Sequence, residues 1–255
     1  MNQDILVVGA SGSIGHALVN QALLHLPAQA RLVRMARQPQ RLPSLNTPHQ
    51  VIDLAMDFSD PAHIPELFEQ AYQAWSQAAG LAQPAEHLAQ VWLATGLLHD
   101  ATMQPEKRYQ SLNATAMQRA FAVNSIGPSL LLSQLIDRLP RRIALKIGVL
   151  SARVGSISDN RMGGWYSYRA SKAALNMLLK TFAIELARTH PQLTLMGMQP
   201  GTTRSDLSAP FSRHVADSDL QSPEFTAAHL YQVLASCQPS DSGKLIDFMG
   251  EFFEP

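Results

Sequence analysis

The sequence predicts one α/β domain: a doubly wound, mostly parallel sheet of about seven strands with helices on both faces. Three observations predict it. Short apolar runs alternate with stretches of helical periodicity along the chain, the pattern of parallel strands joined by crossover helices. The first apolar run closes on a glycine-rich turn that opens into an amphipathic segment. At 255 residues and 46% hydrophobic content, residues 1–255 suit a single large core.

Ile5 to Val8 reads as a buried strand, and Gly9-Ala10-Ser11-Gly12-Ser13-Ile14-Gly15 as the turn leading into a helix from Ile14 to Leu26. In that setting glycines permit a tight turn and close approach of a pyrophosphate to the free N–H groups of the helix N-terminus. A helix start with glycines for packing is the bland alternative. The second strand, Ala30 to Met35, runs into Arg34-Met35-Ala36-Arg37. A ribose with a free 2′-hydroxyl calls for an acid about 20 residues beyond the glycines. Arginines stand here instead and suit a 2′-phosphate, with Arg37 the preferred ligand and Arg34 the reserve. The cofactor expected is therefore NADP(H) rather than NAD(H).

Residues 37–48 are loop, and Gln50 to Met56 is a strand ending at Asp57. Ile64, Leu67, Phe68, Ala71, Tyr72 and Trp75 give the segment 61–79 helical spacing. His87 to Ala94 is a strand closing on Thr95-Gly96. The polar stretch 99–115 leads into a long helix, Ala116 to Leu139, carrying Asn124 and a kink expected at Gly127-Pro128. Ile143 to Leu150 delivers Ser151 to the carboxyl edge of the sheet, where ligands bind. Leu193 to Met198 is the next strand, and Pro200, Gly201, Thr202 and Thr203 follow it. Residues 206–223 read as a lid over substrate. A helix from Glu224 to Ala235 and a strand from Lys244 to Met249 complete the expected order.

Lys plus Arg and Asp plus Glu balance at 20 each, so there is no electrostatic footprint for nucleic acid. No apolar segment approaches the ~20 residues that span a bilayer, and the N-terminus lacks the basic start of a signal peptide; a cytoplasmic protein is expected. One cysteine and nine histidines without ligand spacing give no metal site.

The chemistry concentrates between Ser151 and Glu185. Tyr168 has Lys172 four residues on, one turn along the same helical face, and no other tyrosine has a lysine at that spacing. A phenol ordinarily titrates near 10, and bringing it to neutrality takes roughly 4 kcal/mol. A neighbouring ammonium pulls in that direction, which would ready Tyr168 to exchange a proton with a substrate oxygen. A tyrosine and a lysine on a solvated helix face are the alternative. Asn124, polar among apolar neighbours, either bonds nearby backbone or positions a water or Lys172.

Taken together, the blocks GASGSIG at Gly9, ATG at Ala94, FAVNSIGP at Phe121, GSISDNRMGGWYSYRASKAALN at Gly155, PGTTRSDL at Pro200 and SGKLIDFMG at Ser242 resemble the short-chain dehydrogenase/reductase family, most closely its branch of C-factor proteins and carbonyl reductases. The resemblance implies a Rossmann-type domain that moves a hydride between NADP(H) and a small carbonyl or alcohol. Tyr168 would be the acid/base, Lys172 would depress its pKa and bind the nicotinamide ribose, and Asn124 would support the proton relay. Asp57 would contact adenine, Ala94, Thr95 and Gly96 would lie along the adenosine, and Pro200 to Thr203 would line the nicotinamide. A homodimer or homotetramer is implied.

Three departures stand out. The middle glycine of the turn comes three rather than four residues after the first, and Val8 replaces the usual Thr before it. The family's Ser-Ser-x-x-Gly here reads Ser151-Ala152-Arg153-Val154-Gly155, so Ala152 takes the place of the serine that bonds the substrate oxygen. Ser151 or Ser156 substitutes for it, or Tyr168 acts alone. Two readings follow: an NADPH-dependent carbonyl reductase, or a dinucleotide-binding sensor that has lost turnover. Trp165 and Phe211 are candidates for an apolar substrate wall.

Overall fold

The structure is a computed structural model, and it describes residues 3–212, 216 and 219–255. The chain runs β1 (Asp4–Val8), α1 (Ser13–His25), β2 (Leu32–Ala36), β3 (Val51–Ala55), α2 (Ile64–Ala79), β4 (Leu88–Leu93), α3 (Ala114–Phe121), a π-helical turn (Ala122–Ile126), α4 (Gly127–Ile136), β5 (Lys146–Leu150), α5 (Tyr166–Thr189), β6 (Thr194–Gln199), β7 (Thr202–Thr203), β8 (Leu220–Gln221), α6 (Pro223–Ser236), β9 (Leu245–Asp247) and β10 (Phe252–Phe253).

Eight strands form one sheet in the order β3-β2-β1-β4-β5-β6-β9-β10. All neighbours are parallel except β10, which returns antiparallel along β9. The expected mostly parallel sheet of about seven strands is borne out, with the short β10 as an eighth. β10 and the separate pair β7-β8 are two-residue strands, too short to leave a periodic signal. Burial on both faces explains why the long strands read as unbroken apolar runs. Alternate residues of β1 serve different layers. Leu6 and Val8 join Phe68, Trp75, Leu131 and Leu179, whereas Ile5 and Val7 join Leu18, Val19, Leu230 and Leu234. Strand order reverses between β1 and β4, and the crevice at the carboxyl ends of those two strands is where such sheets take ligands.

The irregularity expected at Gly127-Pro128 lies just before them. Pro128 has no N–H to give the carbonyl of Asn124, and the Gly127 N–H reaches back to the Ala122 carbonyl, widening one turn into a π-turn. Asn124 sits on that turn, fully enclosed.

Candidate active site

A cleft of about 530 Å³ opens at the β1/β4 reversal, lined among others by Gly9, Gly12, Arg37, Asp57, Thr95 and Gly96. The Ala94 N–H donates to the Val8 carbonyl at 2.8 Å, which locks the two strand ends together. Gly9 has φ +82, and a Cβ there would stand 2.9 Å from the Ala94 main chain. Only glycine fits that left-handed, crowded position. Gly12 caps α1 without a side-chain bond, and the first turn holds no acid. The N–H groups at Ser13, Ile14 and Gly15 are therefore first-turn donors on an uncompensated helix dipole, the chemistry an anionic pyrophosphate requires. Ser11 lies on the cleft wall beside them. These residues fit a dinucleotide.

The two arginines part company. Arg34 is buried, donates through Nε and Nη2 to both carboxylate oxygens of Asp53 at 2.7 Å, and gives Nη1 to the Pro43 carbonyl at 2.9 Å. Its role as reserve phosphate ligand is corrected: it rivets β2 to β3. Arg37 is exposed and lines the cleft. Asp57 accepts the Ser59 N–H at 2.9 Å and also lines the cleft.

Helix α5 carries Tyr168 and Lys172 inward. The Lys172 ammonium donates to the Leu150 carbonyl at 2.8 Å, so it is anchored at the carboxyl end of β5. Gly155 allows this approach, since a Cβ there would lie 2.7 Å from the Lys172 Cβ. Burial pushes Lys172 down to about 8 and the Tyr168 phenol up to about 12. This corrects the expectation of a depressed phenol. With both groups desolvated, the loss of hydration outweighs the ammonium's pull, and in the protein alone Tyr168 holds its proton. Its hydroxyl has no hydrogen-bond partner among the described residues, yet it is not one of the fully enclosed unpaired atoms. The arrangement presents a protonated, unengaged phenol.

Asn124 bonds backbone rather than Lys172. Its Oδ1 accepts the Leu97 N–H at 2.7 Å, and its Nδ2 donates to the Leu97 carbonyl at 2.8 Å and to Ser171 Oγ at 3.0 Å. Ser171 in turn donates to the Tyr168 carbonyl at 2.8 Å. The amide thus ties the chain just beyond β4 to the turn of α5 that holds Tyr168. Ser151 donates to Asn176 Oδ1 at 2.6 Å, and Ser156 accepts the Asp159 N–H at 3.2 Å. Both candidate substitutes for the missing serine have structural partners, while Ala152 stands half-exposed between them.

Of the residues after β6, Thr202 is exposed, whereas Thr203 is buried with its hydroxyl against Thr226 Oγ1 at 2.8 Å. Pro200 accepts from Thr203 Oγ1 at 3.1 Å, and Gly201 takes φ +72 to turn the chain. Part of the expected lid, residues 213–215 and 217–218, lies outside the described residues. Its described part sits over the cleft, with Asp206 and Leu207 on the lining. Both of their carbonyls lie 3.1 Å from His99 Nε2. Phe211 meets the rings of Trp165 and His99 at 5.0 and 5.4 Å, and Trp165 meets Tyr168 at 6.3 Å. The two rings expected to form a substrate wall meet each other beside Tyr168, and His99 joins them. Sequence reasoning also missed Glu106, which is buried against Ser167. The available signal was that the helix beginning at Tyr166 has neither a capping side chain before it nor an acid in its first turn.

Residues 3–216 match the family model for short chain dehydrogenases. The chain belongs to the short-chain dehydrogenase family. Within it, the protein named C-signal of Myxococcus xanthus is 31% identical over 134 residues, 52% of this chain and 75% of that protein. This bears out the resemblance to the C-factor branch. The 1-hydroxy-2-glutathionyl-2-methyl-3-butene dehydrogenase of a Rhodococcus strain is 31% identical over 144 residues, 56% of this chain and 61% of its own length. The matched region thus spans about three-fifths of that relative. Among solved structures, NADPH-bound carbonyl reductase from chicken fatty liver superposes with a TM-score of 0.78 at 20% identity, covering 99% of this chain and 94% of that one. At such identity the likeness is one of fold.

Proposed function

We propose that this protein is an NADPH-dependent reductase of small carbonyl compounds, working in the reverse direction on the corresponding alcohols. The observation that carries the reading is Tyr168: a buried phenol, kept protonated and without a hydrogen-bond partner among the described residues, on the helix whose Lys172 is anchored at the carboxyl edge of the sheet. A reduced nicotinamide, when bound, supplies the hydride. As the carbonyl oxygen gains charge, Tyr168 gives it the phenolic proton. Lys172 then stabilises the phenolate and, as the family resemblance implies, holds the nicotinamide ribose. The uncapped α1 receives the pyrophosphate and Arg37 the 2′-phosphate, which favours NADP(H) over NAD(H). The paired rings of Trp165 and Phe211 suit an apolar substrate face, and Asp206 and Leu207 on the cleft lining begin the segment read as a lid.

Self-association is part of the proposal. Met177 and Ile184 lie seven residues apart on one face of α5, and they and Ile126 are all exposed. Sedimentation should show a dimer or larger, and Met177→Glu with Ile184→Glu should give monomers.

A second reading, a dinucleotide-binding sensor without turnover, is favoured by one observation. Ala152 offers no hydroxyl, and Ser151 on its flank is committed to Asn176. Nicotinamide fluorescence separates the two. Enhancement on mixing NADPH with protein, followed by decay when activated ketones or aldehydes are added, supports the reductase. Enhancement with no decay across the panel favours the sensor, and no enhancement refutes both.

A further inference from the structure

The loop between β4 and α3 sends one acid into the interior. Glu106 is 4% exposed, and its partners lie 59 to 61 residues further on, at the entry to α5. The approach to that helix is strained. Gly163 and Gly164 have φ 64 and 65, and Trp165 follows at φ 50, the non-glycine left-handed residue among the described positions. That conformation costs an L-residue free energy and persists only where the surroundings impose it. The helix supplies no cap of its own, because Trp165 makes no side-chain capping bond and the first turn carries no acid.

Glu106 provides from a distance what the local sequence lacks. Its main-chain carbonyl accepts the Trp165 N–H. Its carboxylate accepts the Ser167 N–H at 3.1 Å and also the Ser167 hydroxyl. A carboxylate at a helix N-terminus satisfies orphan donors and complements the dipole. Arg169, the other charged side chain at this turn, is occupied with the carbonyls of Val154, Gly163 and Gly164. Tyr168 is the next residue after Ser167. Its hydroxyl has no protein partner among the described residues, so the phenol is aimed by the backbone of this first turn and by the Trp165 ring.

We propose that Glu106 is a positioning residue. Acting through Ser167, it holds the first turn of α5 and so fixes where the Tyr168 hydroxyl meets the carbonyl oxygen. It also couples that placement to the loop bordering the substrate side. The inference rests on the reductase reading, so its test includes a readout that needs no turnover.

Three variants of the full-length chain test it: Glu106→Ala, Glu106→Gln and Ser167→Ala. Displacing a catalytic group by about 1 Å costs on the order of 100-fold in rate. Glu106→Ala should lower kcat by roughly 10- to 100-fold, with the Kd for NADPH within about twofold because the α1 turn is untouched. Glu106→Gln should recover kcat to within about threefold: its carbonyl accepts the Ser167 N–H, and its amide donates to a reoriented hydroxyl. Amide exchange in the segment 165–169 should rise in Glu106→Ala and return in Glu106→Gln. Should Glu106→Ala not fold, Ser167→Ala removes one bond alone and should still lower kcat by roughly threefold. An unchanged kcat in the Ala variants, a Gln variant as slow as Ala, or equal losses of kcat and NADPH affinity would overturn the proposal. So would unchanged exchange at 165–169, whatever the turnover. If the wild type reduces no carbonyl, the reductase reading fails by itself and the exchange measurement still decides on Glu106.

Discussion

Arg34 and Arg37 lie three residues apart, yet their replacement should fail in opposite ways. Arg34→Ala removes two 2.7 Å bonds to Asp53 and one of 2.9 Å to Pro43. Hydrogen bonds to charged groups contribute about 1.5–3 kcal/mol each in favourable settings. The Asp53 side chain is 34% exposed and rehydrates once its partner is gone, so the pair as a whole is discounted to about 2–3 kcal/mol. At about 2–4 °C per kcal/mol for a domain of this size, the melting temperature should fall by roughly 4–12 °C. The ratio of NADPH to NADH affinity should stay within about twofold, since Arg34 is buried against Asp53 and is not on the cleft lining. Arg37→Ala reverses the pattern. This exposed side chain makes no hydrogen bond or ion pair among the described residues, so the variant's Tm should move by less than about 2 °C. Losing its charge-assisted bonds to a 2′-phosphate should weaken NADPH by roughly 10- to 100-fold and NADH hardly at all. Thermal melts and fluorescence titrations with both dinucleotides on the two variants suffice. A shifted cofactor ratio in Arg34→Ala, or an equal loss of both cofactors in Arg37→Ala, would refute the assignment.

Tyr168→Phe should cut turnover by about 100-fold or more while leaving the Kd for NADPH within twofold; comparable activity in this variant would remove Tyr168 from proton transfer. Ala152→Ser restores a hydroxyl to the position the family uses, and a donor to the reacting oxygen is worth up to ~100-fold in kcat. A gain would mark Ala152 as the brake on this active site, and no change would mean that donation is already supplied. Lys172 is pushed down to about 8 from 10.5, so between those pH values the unfolded chain keeps a proton that the folded chain has released. Cofactor-free protein should therefore gain stability from about pH 8 to 10.5, by roughly 3 kcal/mol at most. Above pH 10, Tyr168, pushed up to about 12, should take stability away because the unfolded phenol ionises first. Denaturation midpoints that do not rise above pH 8, or that rise equally in Lys172→Met, would contradict this.

Much of the fold was legible because its determinants are local. The alternation of Ile5, Leu6, Val7 and Val8 between two core layers, and the glycines closing β1, are written within one short run. The spacing of Tyr168 and Lys172 is likewise local, as is the proline that forces a π-turn at Asn124. What the residues would bond was less legible. The phenol's proton affinity depends on burial, and burial of Tyr168 and Lys172 is a property of the assembled layers. Arg34 could be placed near the end of β2 by sequence, but its capture by Asp53 requires the register of β2 on β3, where the two residues pair directly.

The same distinction explains where the active site departs from its outline. Residues close in sequence could be grouped from their spacing, but the contacts they make span long separations. Asn124 is tied to Leu97 and Ser171, 27 and 47 residues away. Ser167 is tied to Glu106, 61 residues away. Together these bonds join the loop after β4, through Asn124 or directly from Glu106, to the first turns of α5. Tyr168 therefore stands on a helix fixed through Ser171 by Asn124 and through Ser167 by Glu106. On the proposed mechanism, a phenol with no hydrogen bond among the described residues needs such external support, because an acceptor that held its hydroxyl would compete with the substrate oxygen for the same proton.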